Sequence, residues 1–97
     1  MQIDKKLEGE KLTLRVAGRL DTNTAPDLSA ALKLDDVKEV VFDFTDLAYI
    51  SSAGLRILLT VQKAMMSCGG SMTVANPNES VRSVFEITGC SDIFTIA

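Results

Sequence analysis

Glu39-Val40-Val41-Phe42-Asp43-Phe44 is apolar at almost every position, and that pattern places it as a strand in the middle of a sheet covered on at least one face. The chain that follows supports such a sheet. Ile50-Ser51-Ser52-Ala53-Gly54-Leu55-Arg56-Ile57-Leu58 joins a strand end to a helix start. Leu55, Leu58, Leu59 and Met65 give that helix a broad apolar side ending near Ser67, where Gly69-Gly70 supply a stop. Met72-Thr73-Val74-Ala75 reads as the next strand. A further helix begins at Asn78 or Ser80, with Val81, Val84, Phe85 and Thr88 on one face and Gly89 at its end, and Ile93-Phe94-Thr95-Ile96 closes the chain as a short strand.

Upstream, residues 2–7 and 11–17 alternate. Ile3, Lys5 and Leu7 share one face of the first strand, and Leu12, Leu14 and Val16 one face of the second; a polar Glu8-Gly9-Glu10 turn makes the two a hairpin. Gly18 is expected to end the second strand. Thr24 is expected to cap a short helix with Pro26 in its first turn, where a missing N–H costs nothing, and with Leu28, Ala31 and Leu32 turned inward. The order is ββαβαβαβ, an α/β fold in which a mixed sheet has helices laid against it through right-handed crossovers.

A chain of 97 residues suffices for one domain, residues 1–97, with a two-layer core. Hydrophobic residues make up 46% of it, which excludes a disordered tail, yet no apolar run is long enough to cross a bilayer, so direct membrane insertion is not expected. Met1-Gln2-Ile3-Asp4-Lys5-Lys6 mixes acid with base and precedes no signal-length apolar stretch, from which a cytoplasmic location is expected. Cys68 and Cys90 are widely spaced and read as free thiols. The formal charge is −3, with Lys and Arg scattered among acids, which argues against nucleic acid as a partner.

The chain contains no histidine, which removes histidine general bases, His-based metal sites and Ser-His-Asp arrangements. No GxxxxGK or GxGxxG phosphate loop occurs, and neither cysteine opens an arginine-bearing loop. Asp21, Asp43 and Asp46 lie near strand ends and leave a Mg²⁺ pair open, although such aspartates more often form Asx turns. The expectation is a protein that is not an enzyme and carries no cofactor. The Ser51-Ser52 junction points instead to modification. A plain helix cap is one reading; in the other, Ser51 caps the helix through the N–H of Ala53 or Gly54 and Ser52, in the first turn, faces outward as a phosphoacceptor. Ala53-Gly54 add almost no bulk beside it.

Gly18-Arg19-Leu20-Asp21-Thr22-Asn23-Thr24-Ala25 can be read as a well-made strand-to-helix connection, with Asp21 fixing the loop, or as a recognition loop. Helix starts in α/β folds tend to emerge along one sheet edge, so this loop and Ser52 are expected to form one surface.

These two stretches together resemble the STAS domain family, in particular the stand-alone bacterial anti-sigma factor antagonists, over essentially the full chain. Gly18 to Ala25 resembles the family's G-x-L/I-D-x-x-x-A loop, and Asp43-Phe44-Thr45-Asp46-Leu47-Ala48-Tyr49-Ile50 with Ser51-Ser52-Ala53-Gly54-Leu55 resembles its central strand and phosphorylation segment, D-S-S/T-G-L. Ser51 stands where many members have Asp, and Ala53 where many have Ser or Thr. The resemblance implies a STAS-type mixed sheet and phosphorylation at Ser52. It also implies a partner-binding edge made of Asp21, Thr22, Asn23, Thr24, Ser51, Ser52, Ala53, Gly54 and Arg56. The implied partners are an anti-sigma factor that is also a serine kinase and a PP2C-type phosphatase that resets the cycle. Three other readings stay open: an unphosphorylated scaffold subunit of a lipid-transport or stressosome-like assembly, a small-ligand sensor, and a metal-dependent phosphohydrolase using Asp21 and Asp43.

Overall fold

A computed structural model describes residues 1–97. Strands β1 (Gln2–Glu8) and β2 (Lys11–Leu20) form the expected hairpin, turning at Gly9. Helix α1 (Ala25–Ala31) precedes β3 (Glu39–Asp43), and a short strand β4 (Leu47–Ile50) leads into α2 (Ser52–Ser67). β5 (Ser71–Ala75), α3 (Glu79–Thr88), a 3-10 turn (Cys90–Asp92) and β6 (Thr95–Ile96) complete the chain. The mixed α/β class is as the sequence implies, while the strand β4 is an addition to the expected order ββαβαβαβ.

The sheet runs β1-β2-β3-β5-β6, antiparallel only at the hairpin, with β4 attached to β2 outside that path. On the edge away from β1, β2 therefore serves two neighbours in turn. Lys11 to Arg15 pair with β3, and Gly18 to Leu20 pair with β4 across a register shift between Gly18 and Arg19. Gly18 does not end the strand as expected; its φ of +96° makes the irregularity that hands β2 from one partner to the other, a conformation that glycine adopts without the Cβ penalty.

One face of the sheet is covered and one is open. Leu12, Leu14 and Val16 of β2, Val40 and Phe42 of β3, and Met72 and Val74 of β5 alternate inward, and all are buried. They join Leu28 of α1, Leu55, Leu58, Val61 and Met65 of α2, and Val81 and Phe85 of α3 in one core cluster of 22 residues. The intervening residues, among them Thr13, Val41 and Thr73, are only partly buried. The hairpin's outer strand departs from its expected pattern: Ile3 touches the core, but Lys5 is exposed, its ammonium donating to the Ala31 carbonyl (3.2 Å), and Leu7 is 61% exposed. β1 is the edge strand of the sheet and pairs with β2 alone.

Both later helix ends follow from their residues. Asn78 caps α3 by accepting from the Val81 N–H (2.8 Å), and Gly89 ends it in the left-handed conformation. α2 stops at Cys68, where Gly69 takes a φ of +74°. Gly70 is needed for a different reason: a Cβ there would lie 2.2 Å from the Lys38 carbonyl oxygen. Cys68 is exposed and Cys90 is buried, and both are free.

Candidate recognition edge at the start of α2

Leu20 and Ile50, paired in register at the end of β2 and β4, place two connections side by side. The Asp21–Thr24 loop follows the first and Ser51-Ser52 the second. They are also tied by a backbone hydrogen bond, Ser51 N–H to the Leu20 carbonyl (2.9 Å). The expected single surface is thus present, and strand pairing rather than side-chain contact builds it.

Asp21 fixes its loop. Its Oδ1 accepts from the N–H groups of Asn23 (3.0 Å) and Thr24 (3.2 Å), an Asx turn. Burial pushes the Asp21 carboxyl up, but the N–H groups of Thr24 and Asn23, the Thr24 hydroxyl and the Arg19 charge outweigh it and hold the group below its ordinary value. Thr24 occupies the N-cap position of α1 without doing a cap's work. Its hydroxyl accepts from the Asp21 N–H (2.9 Å) and donates to the Arg19 carbonyl (2.8 Å), so it closes the loop and leaves the helix N–H groups alone. Thr22 and Asn23 are exposed at the loop's tip.

Ser51 is the N-cap of α2, with extended φ and ψ of −100° and 176°, and its carbonyl accepts the first helical bond from Leu55 N–H (3.0 Å). The expected bond from its hydroxyl to Ala53 or Gly54 is not made. The bond to Leu20 pins Ser51 against β2, and its Oγ is buried with no partner. Ser52 is exposed in the first turn. Ala53 is half-buried and Gly54 is buried, so Gly54 offers a partner no surface. Its part is close approach: a Cβ would lie 2.7 Å from Leu20 Cγ and 2.8 Å from Ile50 Cγ1. Glycine at this position lets α2 sit down on the paired strand ends.

Beside Ser52 runs a groove of about 700 Å³ between α1 and α2. Leu32, Leu34, Ile57 and Val61 form its apolar floor, Thr22 stands at one end, and Arg56 is its only charged residue. The exposed Arg56 side chain makes no hydrogen bond or ion pair. Sequence reasoning missed this groove; Ala53, Ile57 and Thr60, small or apolar at helical spacing on the flank of the core stripe, were its signal. It also missed the platform on the other side of the strand ends, where the Arg19 guanidinium lies 4.3 Å from the Tyr49 ring centroid.

Asp43 and Asp46 belong elsewhere. Asp46 holds Arg15 at 2.7 Å, and Asp43 accepts from the N–H and hydroxyl of Thr45, which keeps it below the ordinary carboxylate value. Asp43 pairs in register with Arg15, six residues before Asp21 along β2, a separation of roughly 15–20 Å at strand rise. The structure does not bring Asp21 and Asp43 together, and the two-aspartate phosphohydrolase reading loses its geometry.

A one-sided mixed sheet whose paired strand ends carry a fixed loop, an exposed first-turn serine and an apolar groove defines a small α/β domain. The chain belongs to the STAS domain family, whose model matches residues 2–97. It is 30% identical over 95 residues to the anti-sigma-B factor antagonist of Listeria monocytogenes, covering 95% of this chain and 83% of that protein. It is 27% identical over 99 residues to the anti-sigma-B factor antagonist of Bacillus subtilis, covering 100% and 91%. Among solved structures it resembles the anti-sigma factor antagonist SpoIIAA in its unphosphorylated form, with a TM-score of 0.86, 21% identity and coverage of 99% and 88%. The phosphorylated form of SpoIIAA aligns with a TM-score of 0.72 at 21% identity, covering 99% and 91%. At that identity the structural match establishes the fold.

Proposed function

We propose that this chain is an anti-sigma factor antagonist that binds an anti-sigma factor with serine-kinase activity and is switched off by phosphorylation of Ser52. The observation that carries this reading is the placement of Ser52: exposed in the first turn of α2, beside the groove, on an edge held to the Asp21–Thr24 loop by the Ser51–Leu20 bond. Relatives named as anti-sigma-B factor antagonists support it, and the structural neighbour SpoIIAA has been solved in unphosphorylated and phosphorylated forms.

The chemistry is a phosphoryl transfer catalysed by the partner. The Ser52 hydroxyl oxygen bonds to the γ-phosphorus of ATP, the bond to the β-phosphate bridge breaks, ADP leaves and the hydroxyl proton is released. The product carries about −1.5 to −2 charges at neutral pH. The helix start tolerates that charge, because the N–H groups of Ser52, Ala53 and Gly54 have no acceptor within the protein. A partner packed over the edge must instead desolvate it, so the complex separates while the fold persists. A PP2C-type phosphatase restores the hydroxyl. The chain then acts by binding in the cytoplasm as a single domain, without catalysis of its own.

The test is peptide-level mass spectrometry of the protein isolated from its cells with phosphatase inhibitors present. Phosphate on Ser52 is the expected result; protein unmodified across growth and stress conditions overturns the reading in favour of a constitutive binding subunit. Ser52→Asp is expected to abolish kinase binding with an unchanged circular dichroism spectrum, and Ser52→Ala to bind and resist release by ATP.

A further inference from the structure

We propose that Arg56 is the intramolecular receiver of the Ser52 phosphate, so that phosphorylation both adds charge and withdraws the groove's only cation; this rests on reading Ser52 as the modified residue. Ser52 and Arg56 stand at i and i+4 on a regular helix of 16 residues, and both are exposed. That spacing puts their Cβ atoms about 5–6 Å apart on one stripe of the helix. The order is the favourable one, with the anion N-terminal to the cation and at the positive end of the helix dipole. Guanidinium matches phosphate with two parallel N–H donors, and such charge-assisted pairs exceed neutral hydrogen bonds in strength.

The state of Arg56 before modification gives the pairing its meaning. Arg15 is held by Asp46 at 2.7 Å, and Arg19 lies over Tyr49 and within 3.9 Å of Asp21. Arg56 has no such partner, and it overhangs an otherwise uncharged groove. In the unmodified protein it is free to meet an acidic group on whatever occupies that groove. Once Ser52 carries a phosphate, the same guanidinium is engaged within its own helix, and an acidic group on the partner is left facing a dianion. Arg56 is thereby a positioning residue for the switch rather than a structural one.

The experiment uses the full chain with phosphoserine installed at position 52 by genetic encoding, so that no kinase is required. The probe is the phosphate itself, titrated by ³¹P NMR in the parent, Arg56→Gln and Arg56→Lys chains. The second ionisation constant is expected to be about threefold higher in the parent than in Arg56→Gln, with Arg56→Lys between them. The Arg56 Nε–H resonance is expected to shift along the same titration curve. Identical titrations in the parent and Arg56→Gln, or an Arg56 resonance indifferent to phosphate ionisation, overturn the proposal. Either result leaves the Ser52 switch standing; that reading fails separately, by absence of phosphate from Ser52 of the native protein.

Discussion

Gly54 and Ser51 show how single residues at the recognition edge do work that their types alone do not reveal. Gly54→Ala would gain up to about 1 kcal/mol of helix propensity. The new methyl, however, would fall 2.7 Å from Leu20 Cγ and 2.8 Å from Ile50 Cγ1, atoms inside the side chains rather than at their free ends, and overpacking of that kind costs about 1–3 kcal/mol. Overpacking wins, and a net loss of about 1 kcal/mol is expected in urea unfolding. Ser51→Ala runs the other way. Removing a serine cap ordinarily costs about 1 kcal/mol, but this hydroxyl makes no cap bond and is buried without a partner; the variant is expected to be neutral or up to about 1 kcal/mol more stable. The carboxyls of Asp21 and Asp43 both titrate below their ordinary values in the folded chain. A carboxyl depressed by folding contributes stability that is full above its unfolded pKa of about 3.9 and is lost as pH falls through the folded value. Urea midpoints should therefore decline from about pH 5 downward, and Asp43→Asn should flatten part of that decline without changing the plateau near neutrality beyond a constant offset.

Elements differ in how far their own residues specify them. α3 is nearly complete in the sequence: Asn78 before it, Val81 and Phe85 along it, Gly89 after it, each found in the expected role. Asn78 also donates to the Leu47 carbonyl (3.0 Å), tying α3 to β4. Asn78→Ala is accordingly expected to cost about 2 kcal/mol, the upper end for a cap, measured by urea denaturation. The β1–β2 hairpin was legible from its alternation, and β3 from its apolar run. β4 was legible only as a strand end at Ile50, not as a strand of its own, because Leu47 and Ile50, its buried residues, are three apart in a four-residue strand and match neither a period of two nor a helical stripe of useful length. Its existence is decided by β2, some thirty residues away. The recognition edge divides the same way. Ser52's exposure and Asp21's turn follow from local chemistry and were readable. The orphaned Ser51 hydroxyl, the buried Gly54 and the groove under Arg56 depend on how α2 meets β2, β4 and α1, which no local pattern encodes.

At the scale of the molecule, the covered and open faces of the sheet set different tolerances for neighbouring residues. Val40 is fully buried and Val41, next to it, looks out from the open face. Val40→Ala is expected to cost about 2 kcal/mol and Val41→Ala less than about 1 kcal/mol, a contrast that paired urea titrations would read directly. The hairpin is also the sheet's only local pairing. β2 with β3, β2 with β4 and β3 with β5 each join strands about thirty residues apart in sequence, and topologies dominated by such contacts fold in milliseconds to seconds rather than microseconds. The bond from Ser51 to Leu20 belongs to this long-range class. An excised peptide spanning residues 46–58 carries every atom of the serine's neighbourhood in sequence and none of its address in space. A kinase that recognises the edge should ignore that peptide, and an unfinished or unfolded chain would escape modification until its strands had closed: phosphorylation would certify that the molecule had folded.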